Sequence, residues 1–142
     1  MTYAYVADGG AHTVSKIDLS TFTTVGSALA VGSSPVGIAI DPTGTYAYVT
    51  DESANTVSKI DLSTFTTVGS AVAVGSGAYG IAIDPTGTYA YVTDYGANTV
   101  SKIDLSTFTT VGSALAVGTN PVGIAIAPTP KTNSNFFIFM GA

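Results

Sequence analysis

The hexapeptide Tyr-Ala-Tyr-Val-Thr-Asp occupies residues 46–51 and again residues 89–94, and its first four residues also stand at positions 3–6. The three copies are spaced by 43 residues, and the sequence between them recurs almost unchanged. Aromatic and β-branched residues dominate each copy, as is typical of a β-strand. The chain therefore consists of three internal repeats, and one repeat specifies one structural unit.

The composition excludes several classes of protein. Only 9% of the 142 residues are charged, against roughly 25% in an average globular domain, so Ser, Thr, Gly and Tyr must form most of the surface. The absence of cysteine rules out disulfides, thiolate metal sites and a catalytic cysteine. The net charge is −5 and arginine is absent. Because a phosphate backbone is bound by clustered basic residues, we expect no nucleic-acid partner.

The sequence also carries no pattern that indicates a membrane protein. No apolar run reaches 18 residues, and no basic segment followed by an apolar one precedes the first strand. We therefore expect neither a membrane span nor an export signal in this chain.

Four clusters of turn-forming residues divide each repeat. In the middle of the chain they are Asp51-Glu-Ser-Ala-Asn55, Asp61-Leu-Ser-Thr64, Gly75-Ser-Gly-Ala78 and Asp84-Pro-Thr-Gly-Thr88. Strands are predicted between the clusters, at residues 37–40, 46–50, 56–62 and 66–74. A hairpin-linked unit of four short strands that recurs about every 40–50 residues is typical of a β-propeller blade.

Residues 37–40, Gly-Ile-Ala-Ile, carry no polar side chain on either face of the predicted strand. This pattern predicts a strand that neighbouring blades cover on both sides. We expect it to be the innermost strand, with Gly37 and Ala39 on the crowded side and Ile38 and Ile40 on the other.

The predicted fold is all-β: a β-propeller segment of three four-stranded antiparallel blades in residues 1–128, followed by a divergent apolar tail at residues 129–142. By the sequence period, the repeats are residues 3–45, 46–88 and 89–131. Complete propellers have about four to eight blades, so we expect closure by oligomerisation. A ring of six blades from two chains is favoured. A nine-bladed trimer, an open-ended filament and a fragment of a longer gene stay open.

The predicted assembly residues lie near the end of the chain, where an inner strand has no following strand to pair with. We expect this strand to complete the first blade of another copy by β-augmentation. The apolar tail then serves as a decayed second strand, as a lid on the neighbouring chain or as a disordered end. The residues concerned are Val122, Gly123, Ile124, Ala125, Ile126, Phe136, Phe137, Ile138 and Phe139.

The repeat resembles the YVTN family of bacterial and archaeal β-propellers over residues 3 to about 128. The matching stretches are Tyr48-Val-Thr-Asp51, Asn55-Thr-Val-Ser58, Ile60-Asp61, Gly80-Ile-Ala82 and Asp84-Pro-Thr-Gly87. The family prefers Asn where Asp51 and Asp94 stand. The resemblance implies a propeller at the cell surface, outside the cell or in the periplasm that serves as a scaffold or binding module. The related lactonase propellers suggest the alternative of a sugar-lactone hydrolase.

Residues with chemical potential are few. His12 is the only histidine and replaces the asparagine of the other copies, so we interpret it as a turn residue. The repeated aspartates stand where Asp bonds its own backbone, and calcium binding at a ring of them is the alternative. These aspartates are Asp18, Asp41, Asp61, Asp84 and Asp104.

The copies differ mainly in two loops, where Tyr79 and Tyr95 are unique and could stack on a sugar or peptide. Neutral drift after duplication explains the same differences. With no catalytic residue, metal site or cofactor predicted, the sequence favours a non-enzymatic structural or binding propeller. We expect it to assemble with copies of itself, as a dimer or as a filament.

Overall fold

The computed structural model describes residues 2–129, which fold into three antiparallel β-sheets. None of these residues belongs to a helix long and apolar enough to cross a membrane. The predicted all-β class is confirmed. The strands of the first sheet are β1 (Tyr3–Asp8), β2 (Thr13–Asp18), β3 (Thr23–Thr24) and β4 (Leu29–Ala30). Those of the second are β5 (Pro35–Ile40), β6 (Tyr46–Asp51), β7 (Thr56–Asp61), β8 (Thr66–Thr67) and β9 (Val72–Ala73). Those of the third are β10 (Ala78–Ile83), β11 (Tyr89–Asp94), β12 (Thr99–Asp104), β13 (Thr109–Thr110) and β14 (Leu115–Ala116).

Two long strands form the centre of each sheet. In the second sheet, β6 and β7 pair without interruption from Tyr46↔Asp61 to Asp51↔Thr56. The turn between them contains Asn55 at a φ of +58°, in the left-handed region that Asn tolerates better than most residues. The same hairpin recurs in the other two sheets, so the local sequence specifies this part of the fold.

The inner strand contains a β-bulge. β5 pairs Pro35 with Asp51 and Ile38 with Val49, which leaves one extra residue between the two pairs. A Cβ atom added to Gly37 within this bulge would lie 2.7 Å from the carbonyl oxygen of Tyr79 in the third sheet. Glycine is required here because the inner strands of neighbouring sheets approach each other closely.

The outer strand corrects one prediction. A continuous strand was expected at residues 66–74, but the structure divides it into β8 and β9. Between them, the amide of Val68 bonds the carbonyl of Lys59, and Gly69 adopts a φ of +63°. Thr67 pairs with Ile60 and Val72 pairs with Val57, so the segment between β8 and β9 is longer than the segment of β7 that it faces. The extra residues therefore bulge away from β7.

The first sheet lacks the inner strand that the other two possess. β5 lies at the inner edge of the second sheet and β10 at that of the third, whereas β1 itself is the edge of the first sheet. No strand within residues 2–129 pairs with this edge. The predicted absence of an inner strand at the start of the chain is therefore what the structure shows.

The hydrophobic core lies between the sheets, in two clusters that we call the first joint and the second joint. The first joint packs Val14 and Tyr5 of the first sheet against Val49 and Ile60 of the second. The second joint repeats this packing one sheet further on, with Tyr48 and Val57 against Val92, Ile103 and Phe108. Sheets stacked face to face in this way correspond to propeller blades.

Candidate functional site

Each joint is closed by the same aromatic pair. The ring centroids of Tyr5 and Phe65 are 5.9 Å apart in the first joint, and those of Tyr48 and Phe108 are 5.8 Å apart in the second. These are favourable distances for tilted aromatic rings. The tyrosine always belongs to the preceding sheet and the phenylalanine to the following one, so every repeat carries both halves of the pair, one on each face.

A lysine covers each aromatic pair. In the second joint, Lys59 Nζ lies 4.1 Å from the ring centroid of Tyr46 and 5.8 Å from that of Phe108. In the first joint, Lys16 Nζ lies 4.0 Å from the ring centroid of Tyr3 and 5.9 Å from that of Phe65. On the third sheet, Lys102 Nζ lies 4.0 Å from the ring centroid of Tyr89. These are cation–π geometries.

A buried carboxylate ties the linker between two sheets to the following sheet. Asp51, which is fully buried, accepts hydrogen bonds from the amide of Gly32 at 3.1 Å and from the hydroxyls of Thr56 at 3.0 Å and Ser58 at 2.7 Å. Burial raises the pKa of Asp51, and these bonds act in the opposite direction. Asp94 repeats the arrangement.

A threonine hydroxyl joins the inner strands of two neighbouring sheets. Thr50 Oγ1 accepts from the amide of Gly37 at 2.8 Å, in the bulge of its own sheet, and donates to the carbonyl of Tyr79 at 2.6 Å in the next sheet. Thr93 makes the equivalent bonds with Gly80 and with the carbonyl of Val122. One side chain thus satisfies a main-chain donor and a main-chain acceptor across the joint.

The predicted turn residue His12 has a role at the first joint. Its Nδ1 accepts a hydrogen bond from the amide of Ser34 at 3.0 Å. Asn55 and Asn98 accept the corresponding bonds through Oδ1, at 2.9 Å in each case. All three adopt a φ near +60°, which identifies His12 as a substitute for the asparagine of the other repeats.

The two end surfaces of the arc carry the unused halves of a joint. We call Val6, Ile17, Leu19 and Phe22 of the first sheet the leading face, and Tyr91, Val100, Leu115 and Val117 of the third sheet the trailing face. Phe22 is 81% exposed and Val6 is 42% exposed, whereas Val49, the equivalent of Val6 inside the chain, is fully buried. On the trailing face, Leu115 is 68% exposed. Each face matches, residue for residue, a surface that is covered in an internal joint.

Residues 122–126 were predicted as an inner strand for assembly, but they are not a strand in the structure and pair with no strand among the described residues. Val122 is 46% exposed and is contacted by Thr93. The other predicted assembly residues, Phe136, Phe137, Ile138 and Phe139, lie outside the described residues.

Tyr79 and Tyr95, predicted as ligand-binding residues, are brought together. Their ring centroids are 5.7 Å apart at an interplanar angle of 31°. The amide of Tyr95 donates to the carbonyl of Gly77 in the same sheet. The two rings therefore stack on each other at one end of the third sheet.

The repeated aspartates at the turns bond their own turns, as the sequence predicts. Asp61 Oδ1 accepts from the amide and the hydroxyl of Ser63 at 2.8 and 2.7 Å, and these bonds hold the pKa of Asp61 below its usual value. Asp18 and Asp104 do the same with Ser20 and Ser106. In the described part of the chain, no group of three or more His, Cys, Asp or Glu side chains is placed to hold a metal ion.

Phe22 and Tyr91, which lie on the two end faces, were not among the residues predicted from the sequence, because every repeat contains the same Phe and Tyr. The usable signal was the repeat itself. A stack of identical units leaves one face unused at each end, so any residue that packs between repeats must be uncovered in the first or the last copy.

Comparisons with known proteins support the fold. No family model and no curated protein matches the chain. Among solved structures, hydrazine synthase from Kuenenia stuttgartiensis has a TM-score of 0.73 and 27% sequence identity over 80% of this chain. A candidate 6-phosphogluconolactonase from Bacteroides uniformis has a TM-score of 0.76 and 16% identity over 89%. The dihydro-heme d1 dehydrogenase NirN has a TM-score of 0.67 and 18% identity over 80%.

These structural neighbours are β-propeller-like proteins. The chain spans 34% of the hydrazine synthase chain, 41% of the lactonase-like chain and 24% of NirN. It is therefore similar to part of a propeller, which agrees with three sheets that form an arc of blades.

Proposed function

We propose that this chain is a non-enzymatic building block, which joins copies of itself head to tail through its leading and trailing faces. The joined blades form a structural or binding propeller of the YVTN type. Its location is at the cell surface, outside the cell or in the periplasm, and this part of the proposal rests on the sequence resemblance alone.

The observation that carries the proposal is the match between the exposed faces and the buried joints. Phe22 on the leading face corresponds to Phe65, and Tyr91 on the trailing face corresponds to Tyr48. The pair that packs between sheets inside the chain is thus available, one half at each end. A second copy of the chain is the partner whose shape and chemistry fit both faces.

The size of the faces favours a closed assembly. A four-stranded face with five residues per strand measures roughly 19 by 17 Å, or about 300 Å². Burial of two such faces contributes on the order of 15 kcal/mol as an upper bound, and association costs roughly 4–15 kcal/mol. One joint between copies is therefore marginal, whereas two joints formed together are favourable. We accordingly propose two chains in a ring of six blades.

The test is a mass measurement in solution, by sedimentation or light scattering, over a range of concentrations. We expect twice the chain mass of 14.2 kDa. A monomer at all concentrations overturns the proposal. A trimer or an open polymer keeps head-to-tail joining but overturns the six-bladed ring, because a heterologous contact that does not close builds a filament.

No observation favours the lactonase-like alternative. Asp51 and Asp94 are buried acids, but each already accepts bonds from one amide and two hydroxyls that hold a joint. The sequence contains no arginine and only one glutamate, Glu52.

A further inference from the structure

We propose that residues 121–126 of one copy form the inner strand of the first sheet in the next copy, in a defined register with β1. We further propose that Ala7 makes the pairing of this strand with β1 weaker than the equivalent pairings of β5 with β6 and of β10 with β11 inside the chain. The inference rests on the proposed head-to-tail assembly and deepens it by naming the strand that crosses between copies.

The donated strand already lies in the position that it needs. Thr50 donates to Tyr79 in the inner strand of the next sheet, and Thr93 donates in the same way to the carbonyl of Val122. A Cβ atom added to Gly80 would collide with that carbonyl, as one added to Gly37 would approach Tyr79. The carbonyl of Val122 therefore stands where the inner strand of a fourth sheet would place it, although residues 121–126 are not yet a strand in the single chain.

The acceptor edge shows the matching gap. Ile40 of β5 is 43% exposed, although it belongs to a strand of the core. Its equivalent in the third sheet, Ile83, packs against the second joint, where the inner strand of the preceding sheet is present. A strand added along β1 would lie beside β5 and cover Ile40.

The internal sheets fix the register. β5 pairs with β6 as Pro35↔Asp51, Ile38↔Val49, Ala39↔Tyr48 and Ile40↔Ala47, with the bulge between the first two pairs. The same pairing between copies is Pro121↔Asp8, Ile124↔Val6, Ala125↔Tyr5 and Ile126↔Ala4.

The loops next to this strand carry the remaining bonds. Asp8 accepts from the hydroxyls of Thr13 and Ser15, as Asp51 does from Thr56 and Ser58. The amide that corresponds to Gly32 is that of Gly118, and nothing lies within 4 Å of a Cβ atom built on Gly118. A bond from Gly118 to Asp8 of the next copy would reproduce the internal contact.

The main chain contributes two further bonds of the same kind. Inside the chain, the amides of Glu52 and Ser53 donate to the carbonyls of Ser34 and Ser33. Between copies, the equivalent donors are Gly9 and Gly10, and the equivalent acceptors are Asn120 and Thr119. These bonds need no side chain, so the glycines of the first repeat can form them.

One internal contact cannot be reproduced. Ala7 stands at the position of Thr50 and Thr93 and has no hydroxyl. The amide of Gly123 in the donated strand therefore lacks the acceptor that Gly37 finds in Thr50. The donation that Thr50 makes to Tyr79 is also missing at Ala7, but the equivalent acceptor is the carbonyl of Val36, so this loss falls on the first joint inside the chain. Across the joint between copies, Thr93 makes this donation to Val122. The donated strand thus has one side-chain bond to β1 fewer than β5 has to β6 or β10 has to β11.

Disulfide trapping tests the register, because the chain has no cysteine of its own. In the variant Val6→Cys/Ile124→Cys, the two Cα atoms are directly opposed at about 4.5–5.5 Å, within the range that a disulfide spans. We expect a covalent dimer on non-reducing gels after mild oxidation. Ile38→Cys/Val49→Cys is the matched internal control and should cross-link within one chain. Val6→Cys/Ile126→Cys is shifted by two residues and should cross-link poorly.

The outcomes separate the two proposals. A wild-type monomer overturns the proposed function and this inference together. If the wild type is an oligomer and the internal control cross-links, but Val6→Cys/Ile124→Cys gives no covalent dimer, the assembly stands and the strand exchange is overturned. A cross-link between the two cysteines of one chain also overturns the exchange.

The role of Ala7 has its own test. Ala7→Thr restores the hydroxyl, and we expect the dissociation constant to fall roughly fivefold, the size of one net hydrogen bond. Ala7→Val has the same shape without a hydroxyl and is the matched control. Equal dissociation constants for the two variants in a dilution series would show that the missing hydroxyl does not weaken the joint. A fall with Ala7→Thr alone supports the inference.

Discussion

Phe22, Phe65 and Phe108 adopt φ values between +52° and +54°, a left-handed conformation that costs about 1–2 kcal/mol for a residue with a side chain. For Phe65 and Phe108 the cost is offset, because each ring packs against a tyrosine of the preceding sheet. Phe22 has the same backbone conformation, but its ring is exposed. Among residues 2–129 no ring contact offsets this strain, which is the residue-level reason to expect a second copy over the leading face.

The buried Asp51 gives a pH prediction. Burial raises its pKa, so the folded state takes up a proton more readily than the unfolded state, and wild-type stability falls as the pH rises through the folded pKa. In Asp51→Asn the side-chain amide is neutral at every pH. Its oxygen can accept from the amide of Gly32, and its NH₂ group can donate to the hydroxyls of Thr56 and Ser58, which can rotate to accept. We expect this variant to be at least as stable as wild type at pH 7, with an advantage that shrinks in urea unfolding at lower pH.

Asp61→Asn is the control for that experiment, because the pKa of Asp61 is shifted in the opposite direction from that of Asp51. Hydrogen bonds from Ser63 lower the pKa of Asp61, so its carboxylate stabilises the fold above the unfolded pKa, and this contribution is lost as the pH falls through the folded pKa. We expect Asp61→Asn to be less stable than wild type at pH 7 and equal to it in acid. An advantage of Asp51→Asn that grows on acidification would contradict the assignment.

His12 offers a second prediction at the residue scale. Because its Nδ1 accepts from the amide of Ser34 in an exposed hydrogen bond, His12→Ala should leave that donor to water and reduce the free energy of unfolding by about 0.5–1.5 kcal/mol. His12→Asn restores the residue of the other repeats and should stay within about 0.5 kcal/mol of wild type. Equal losses in the two variants would show that the acceptor atom is unimportant. Urea unfolding of both variants decides.

At the scale of elements, the sequence predicts the inner and middle strands well and the outer strand poorly. The middle hairpin is specified locally, by short aromatic and β-branched runs around Asn55, and its strands end within one residue of the prediction. The outer run 66–74 is equally rich in such residues, yet its Gly69 adopts a positive φ and breaks the strand. The prediction of a continuous strand gave more weight to the strand propensity of this run than to its one glycine. In the structure the strand is interrupted there, and the amide of Val68 bonds the carbonyl of Lys59.

The candidate site was only partly predictable, for a physical reason. The prediction of an inner strand at residues 122–126 follows from counting strands, but the structure has no strand at these residues, which find no pairing partner among residues 2–129. The roles of Thr50 and Asp51 depend on contacts with residues outside their own hairpin. The alternation of polar and apolar residues along a strand does not tell which residue of another sheet or linker will lie next to them. Their partners Tyr79 and Gly32 are 29 and 19 residues away.

Thr50 supplies the prediction for this scale. Thr50→Val keeps the shape of the side chain but leaves the amide of Gly37 without its acceptor and the carbonyl of Tyr79 without this donor, so we expect a loss of about 2 kcal/mol in the free energy of unfolding. Thr50→Ser retains the hydroxyl and should recover most of the loss. If Ser and Val behave alike, the hydroxyl does not join the strands. Thr93→Val repeats the experiment in the third sheet, where Thr93 bonds Gly80 and the carbonyl of Val122, with the same expectation.

For the whole molecule, stability is a sum of sheets and of the joints between nearest neighbours, as in other repeat proteins. Two joints lie within the chain, and each involves a complete set of apolar residues. The leading face and the trailing face each have the residues that form one side of such a joint. Substitutions in the internal joints should therefore act on folding, and the equivalent substitutions on the end faces should act on association.

That distinction gives the last prediction. Phe65→Ala should lower the free energy of unfolding by about 2 kcal/mol, less than a fully buried aromatic truncation because Phe65 is partly buried, whereas Phe22→Ala should leave the unfolding of the dissociated chain within about 0.5 kcal/mol of wild type. Phe22→Ala should instead weaken association at least about tenfold, since an aromatic pair and its buried area are lost.

Mixing variants then tests the direction of assembly. Phe22→Ala copies keep an intact trailing face, and Tyr91→Ala copies keep an intact leading face. In a head-to-tail arrangement, a mixture forms one native joint per mixed pair and associates more tightly than either variant alone. If two leading faces met each other instead, Tyr91→Ala would associate like wild type and mixing would add nothing. Sedimentation of the two variants, alone and mixed, distinguishes these arrangements, because only complementary faces can rescue each other.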